Sequence, residues 1–258
     1  MNWISPFGII LAVLSLIVGF VMEGGHLASL LAPSAALIVF GGTFGATVVA
    51  YSLDEIKNIP QLLMMIATKK IPPYDEAIEQ VVRLADMARK EGLLYIDNQL
   101  DTIEDPFLRK AMQLVVDGTD PEMVRSILET EMYTAHERHE VGASIFEAAG
   151  GYSPTFGIIG TVMGLVHVLG SIEDPDSLGP AIAMAFAATL YGVAAANVLY
   201  FPVAARLKNL NKKELLLKEL QIEGVLSLQA GYNPILIRER LNAFLRNSSK
   251  SERTEEEE

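Results

Sequence analysis

Two apolar stretches in the second half of the chain carry a row of uncharged hydrogen-bonding side chains, Ser153, Thr155 and Thr161 in the first and Thr189, Tyr191 and Asn197 in the second. Hydroxyl and amide oxygens can replace part of the hydration shell of a hard cation, together with backbone carbonyls. Helix faces that meet lipid avoid such groups, so the row suits the wall of an ion pathway better than a plain anchor. Equally informative is what these stretches lack. No Asp, Glu, Lys or Arg occurs within Ile4 to Met22, Ser34 to Leu53, Ala148 to Ile172 or Ser177 to Ala205, whereas ion and proton pathways in membranes normally need an ionisable group. If ions cross here, another polypeptide must bring the carboxylate. His167 reads as a packed or interface residue rather than a proton relay, a role that histidine can also take.

Other chemistries are excluded by spacing. His136-Glu137-Arg138-His139 places its histidines three apart, not the four that a zinc-binding H-E-x-x-H helix requires, and reads as a solvated helix face. No G-x-x-x-x-G-K-[ST] phosphate loop is present, so nucleotide hydrolysis is not the expected energy source. With zero cysteines there is no thiolate site or disulfide framework. The chain is expected not to be an enzyme, and no cofactor, metal or nucleic-acid partner is expected.

The elements that must position the polar row follow from charge and hydropathy. Half of the 258 residues are hydrophobic, yet the formal net charge is −12, so apolar and polar parts are segregated along the chain. Crossing about 30 Å of hydrocarbon takes roughly 20 helical residues, and the four charge-free stretches qualify as membrane spans. All 20 Lys and Arg lie in two blocks, Lys57 to Arg138 and Arg206 to Arg253. Cationic loops stay on the cytoplasmic side, which puts both termini inside and the links Glu23 to His26 and Ser171 to Ser177 outside. The first stretch is expected to be a retained span rather than a cleaved leader, having no preceding cation and no small-residue cleavage site.

The fold class is therefore all-α, a polytopic membrane protein with four transmembrane helices and a helical cytoplasmic domain. Its expected divisions are residues 1–53 (spans one and two), 54–147 (a cytoplasmic helical insert), 148–205 (spans three and four), 206–247 (C-terminal helices) and 248–258 (a disordered acidic tail). Within the insert, Tyr74 to Lys90 puts Ile78, Val81, Val82, Ala85 and Ala88 on one face and stops at Gly92. Asp105-Pro106 and Asp120-Pro121 repeat one helix start, an N-cap acid followed by proline at the first helical position. The second of these helices leads straight into span three. After span four a long helix continues to Gly231, and Pro234 starts a last one through Arg246.

Small residues form stripes on spans three and four, Gly157, Gly160 and Gly164 on one and Ala181, Ala185, Ala188 and Gly192 on the other. Such stripes let helices approach closely, and packing within the subunit is the simplest account of them. They also offer a surface for a partner helix. Pro154 and Pro202 sit near the cytoplasmic ends of the two spans, where each permits a bend at the same depth.

These residues resemble the MotA family of flagellar stator subunits. The resemblance lies in Ser153-Pro154-Thr155-Phe156-Gly157-Ile158-Ile159-Gly160-Thr161-Val162-Met163-Gly164-Leu165, in Leu178-Gly179-Pro180-Ala181, in Ala188-Thr189-Leu190-Tyr191-Gly192 and in Phe201-Pro202. It extends to Ala88 through Leu94 in the insert and to Glu223-Gly224-Val225-Leu226 and Gly231-Tyr232-Asn233-Pro234 in the tail. It implies a subunit that surrounds a dimer of a MotB-like partner as a pentamer, the partner supplying the ion-binding Asp. Ion flow across the inner membrane would turn the ring and push a rotor switch protein. Pro154 and Pro202 would couple ion binding to conformational change, with Thr161, Thr189 and Tyr191 along the ion path. Gly157, Gly160 and Gly164 would pack against the partner or a neighbouring helix. The rotor contact would be Arg89 and Asp97, eight positions apart, with Lys90 and Glu91 contributing beside them; Asp97 stands where many relatives carry the longer Glu. The Thr161 hydroxyl favours sodium over protons, against its alternative of bonding back to its own helix. A TolQ or ExbB type of energy-transducing channel is the rival reading, opposed by the fourth span and the motif around Arg89.

Overall fold

The structure, a computed structural model, describes residues 4–170 and 175–255. All regular structure among them is helical, and no strand is present among the described residues. The chain divides into two compact units, residues 1–70 with 139–210 and residues 71–138 with 211–258. The outer link expected at Ser171 to Ser177 falls partly on residues 171–174, outside the described residues.

The first unit holds the apolar helices. Three helices among the described residues are long and apolar enough to cross a membrane, Leu27–Ala50, Pro121–Gly170 and Leu178–Gln229, and a shorter apolar helix covers Phe7–Met22. Large apolar side chains such as Phe44, Ile158, Val162 and Val166 are exposed on these helices. The second apolar helix stops at Ala50, before the expected Leu53, because Tyr51 turns extended and Ser52 caps a new helix, Leu53–Lys57. The Glu55 carboxylate accepts from the Ser52 N–H at 2.7 Å, closing a capping box. The Ser52 side-chain and backbone hydrogen bonds hold the Glu55 carboxyl below its usual range. Helix Ile59–Thr68 then packs Ile66 against Ala143, Phe146, Val203 and Leu207.

The second unit is built from the insert and the C-terminal helices together. One core runs through Ile78, Val81, Leu108, Met112 and Leu128 of the insert and Leu220, Val225, Ile237 and Leu241 of the C-terminal part. The helix starts have the predicted chemistry: Asp105 Oδ1 accepts from the Phe107 N–H at 2.9 Å, and Asp120 Oδ1 from the Glu122 N–H at 2.9 Å. Helix Tyr74–Glu91 ends at Gly92, whose φ of 87° suits glycine. Close approach explains another motif residue, since a Cβ on Gly224 would lie 2.7 Å from Val81 Cγ1. Polar ties cross the same core: Gln221 Nε2 donates to Asp105 Oδ2 at 2.7 Å and Gln229 Nε2 to the Thr119 carbonyl at 2.7 Å. The last helix, Pro234–Glu255, runs past the expected Arg246 because no Gly or Pro follows to stop it; residues 256–258 of the expected tail lie outside the described residues.

Burial raises the Glu219 carboxyl above its ordinary range, and the neighbouring charge of Glu129 adds to the effect. A raised carboxyl binds its proton more tightly in the folded state, so its contribution to stability falls as pH rises from the usual carboxylate range through the raised one. Glu219→Gln is accordingly expected to raise the unfolding temperature of the purified protein at neutral pH. The gain should vanish near about pH 4, where the unfolded carboxyl also protonates, and a pH series of thermal melts checks it.

Candidate functional site

The pairing of the third and fourth apolar helices rests on backbone meeting backbone. A Cβ on Gly192 would lie 2.5 Å from the Ser153 carbonyl oxygen and 3.2 Å from Pro154 Cα, and one on Gly157 would lie 2.9 Å from the Ala188 carbonyl oxygen. Gly160 and Gly164 sit against the methyl groups of Ala188 and Ala185, at 2.7 and 2.6 Å from an added Cβ. The stripe Gly157, Gly160, Gly164 therefore packs against the chain's own helix, the simpler of the two accounts that its spacing allowed. On the other side of the pair, Gly42 of the second apolar helix receives the Phe156 ring, 2.3 Å from where its Cβ would be.

That approach assembles part of the polar row and disperses the rest. Thr161 Oγ1 lies 2.6 Å from Thr189 Oγ1, 2.8 Å from the Ala185 carbonyl oxygen and 3.1 Å from that of Gly157. Two hydroxyls and two carbonyls thus converge between the helices with no charge among them. The Thr161 contacts include the back-bond to the Gly157 carbonyl of its own helix and bonds across to the facing helix. Tyr191 acts elsewhere. Its hydroxyl donates to the Leu30 carbonyl and accepts from the Ala32 N–H at 3.2 Å, pinning the break in the second apolar segment between the 3-10 turn Leu27–Leu30 and the helix that starts at Pro33. Thr155 and Asn197 are exposed and bond back to the Tyr152 carbonyl at 2.6 Å and the Val193 carbonyl at 2.9 Å. Ser153 is wholly buried, with its Oγ unpartnered among the described residues.

Both prolines lie in helices that continue past them. Pro154 is inside Pro121–Gly170, directly against Gly192. Pro202 follows a π-helical turn, Ala195–Tyr200; the missing N–H and the bulk of the ring disfavour a regular α turn before it, and a wider turn relieves the clash. The Phe201 ring fills the space where Gly150 has no side chain, 2.7 Å from its added Cβ, so each proline has a glycine of the opposite helix beside it or its neighbour. Sequence inspection missed a further tie at this end of the helices. Lys208 Nζ bridges Glu147 at 2.9 Å and Glu140 at 3.4 Å, and chiefly the Glu147 hydrogen bond keeps the amine above its usual value. The seven-residue repeat of the two acids along one helix was the available signal.

In the second unit, Arg89 and Lys90 end helix Tyr74–Glu91, Glu91 closes it, and Asp97 ends the next helix, Leu93–Asp97. All four are exposed. Lys90 is paired with Asp86 at 2.7 Å, whereas Arg89 and Asp97 have no hydrogen-bond or ion-pair partner among the described residues. Ile96, fully buried, anchors the turn that presents them. No group of three His, Asp or Glu side chains able to hold a metal occurs among the described residues.

A neutral, glycine-packed helix pair with a central hydroxyl cluster, joined in one chain to a helical unit carrying unpaired charges, defines an all-helical membrane protein. Comparison with known proteins then places it. Residues 99–220 match the model of the MotA/TolQ/ExbB proton channel family, and residues 6–92 that of the motility protein A N-terminal region. Motility protein A of Bacillus subtilis is 39% identical over 246 residues, which cover 95% of this chain and 91% of the relative. Among solved structures, the flagellar MotAB stator complex of Bacillus subtilis has a chain that superposes with a TM-score of 0.87 at 38% identity, covering 95% of this chain and 97% of that one. The C. jejuni MotAB structure gives a TM-score of 0.89 at 27% identity, covering 95% and 96%. The chain belongs to the MotA/TolQ/ExbB proton channel family, on the MotA side of it, and the TolQ or ExbB rival is not favoured.

The backbone contact at Gly192 gives a sharp test. Alanine normally stabilises a helix relative to glycine by about 0.5–1 kcal/mol, yet Gly192→Ala is expected to lower the melting temperature of the detergent-solubilised protein, as overpacking by about 1–3 kcal/mol would. Gly45→Ala, with nothing within 4 Å of the added Cβ, should leave it unchanged or raise it.

Proposed function

We propose that this chain is a flagellar stator subunit which, with a MotB-like partner, converts ion flow across the inner membrane into torque on the rotor. The observation that carries this is the neutral seam: paired helices present hydroxyls and carbonyls around Thr161 and Thr189 without a carboxylate, so the cation-binding acid must be a partner's. The solved relatives are described as MotAB complexes, which supports a partner of that kind here. In this reading the chain crosses the membrane four times with both termini in the cytoplasm, and the Lys and Arg distribution supports that orientation. Five copies surround a dimer of the partner. The glycine contacts leave almost no slack between spans three and four at Pro154, so a change beside one helix moves both.

The rotor contact is assigned to the turn at Arg89, Lys90, Glu91 and Asp97. Exposed, unpaired charges contribute little to stability but can register two surfaces as they slide past each other, which suits Arg89 and Asp97. The shorter Asp97 is held at the end of a five-residue helix by buried Ile96.

In cells lacking their own stator subunits and expressing this chain with its partner, Arg89→Glu combined with Asp97→Lys is expected to abolish or severely reduce swimming while the complex is recovered from membranes in wild-type amount. Loss of the assembled complex would instead assign the turn a structural role. The coupling ion follows from the same cells. Sodium coupling through the Thr161 cluster predicts swimming speed that rises with external sodium and fails in its absence; speed independent of sodium assigns protons.

A further inference from the structure

The first apolar helix and the π-helical turn of the fourth leave a crevice between them. Its larger part, a cavity of about 480 Å³, has almost wholly apolar walls that include Val13, Phe20, Phe40 and Leu199. A second cavity of about 360 Å³ also has mainly apolar walls, Ala12 and Ile66 among them, but Asn197, Arg206 and Asn209 give it a polar part. Ile9 and Val198 line both, so the apolar trench adjoins a cavity that holds a guanidinium and two amides.

Arg206 is the first cation after the fourth apolar stretch. Its Nε is buried without a hydrogen-bond partner among the described residues, and no carboxylate among them lines either cavity. A buried guanidinium donor left unmatched is costly and calls for an acceptor from outside the chain. Guanidinium matches phosphate oxygens in geometry as well as charge, and basic pockets between membrane helices on the cytoplasmic side suit anionic headgroups. The adjoining trench is dry enough for a hydrocarbon chain and for little else.

We propose that this crevice binds one anionic phospholipid of the cytoplasmic leaflet, its phosphate on Arg206 and one acyl chain in the trench beside Val13 and Phe40. The proposal rests on the membrane orientation given above. A bound lipid would stand against the π-helical turn that precedes Pro202, where it would bias the bend of the fourth span.

The test uses the full-length chain with its partner, exchanged into nanodiscs of phosphatidylcholine with or without phosphatidylglycerol and then examined by native mass spectrometry for retained lipid. Phosphatidylglycerol should be retained in preference to phosphatidylcholine. Arg206→Gln should lower its retention roughly fivefold, the worth of one cation near an anionic headgroup, while Arg206→Lys keeps most of the preference. Val13→Trp, which fills the trench, should displace both lipids. Equal retention of the two lipids, undiminished retention in Arg206→Gln, or disulfide cross-linking of Val13→Cys to a neighbouring copy would overturn the proposal. Labelling of Asn209→Cys by an impermeant reagent added outside the cell would overturn the orientation, and the leaflet with it, whatever the retention data.

Discussion

Backbone contact at Gly157 and Gly192 is the constraint on which the membrane part depends. Lipid tails are as apolar as leucine, so no hydrophobic force drives helices together inside a bilayer; packing and interhelical hydrogen bonds must do it. Glycine removes the Cβ atoms that would otherwise strike the Ser153 and Ala188 carbonyls, and the gain in proximity is what brings Thr161 Oγ1 within 2.8 Å of the Ala185 carbonyl and 2.6 Å of Thr189 Oγ1. A side chain at either glycine would separate the helices and break the hydroxyl cluster with them.

The same economy accounts for the neutrality of these helices. A buried ionised group inside the bilayer is expensive unless it is paired or hydrated, and this chain avoids the cost by keeping every carboxylate and ammonium out of the four apolar stretches. Thr161, Thr189, Tyr191 and Asn197 bond to hydroxyls and carbonyls instead. In the proposed function the cost of the charge is carried by the partner, and this subunit contributes a seam that can share the ion's coordination. Lys208 with Glu140 and Glu147 then marks the first place beyond the seam where formal charges bridge the two long helices.

In the second unit, the core is shared between two segments distant in sequence. Leu220, Val225 and Ile237 complete the apolar surface that Ile78, Val81 and Met112 begin, and Gly224 lets the helices meet at Val81. The insert alone would expose that face. The exposed turn with Arg89 and Asp97 is thus held on a scaffold that neither segment could build unaided.

The helical class, the caps at Asp105 and Asp120, the stop at Gly92 and the charge-free stretches were all legible in the chain, because each depends on neighbours within one or two turns. The family was legible for the same reason, its motifs being local runs. The stop of the second apolar helix at Ala50 was not, since the Ser52–Glu55 capping box outweighs the apolar Leu53 that follows. Tertiary structure alone decided which polar residues meet. Ser153, Thr155, Thr161, Thr189, Tyr191 and Asn197 are alike in hydropathy, and only the rotation of each helix about its axis sends Thr161 to Thr189, Tyr191 to the loop at Leu30, and Thr155 and Asn197 outward. That rotation is set by glycine contacts between residues some thirty positions apart, such as Gly157 with Gly192, a distance over which composition and periodicity carry no information about contact.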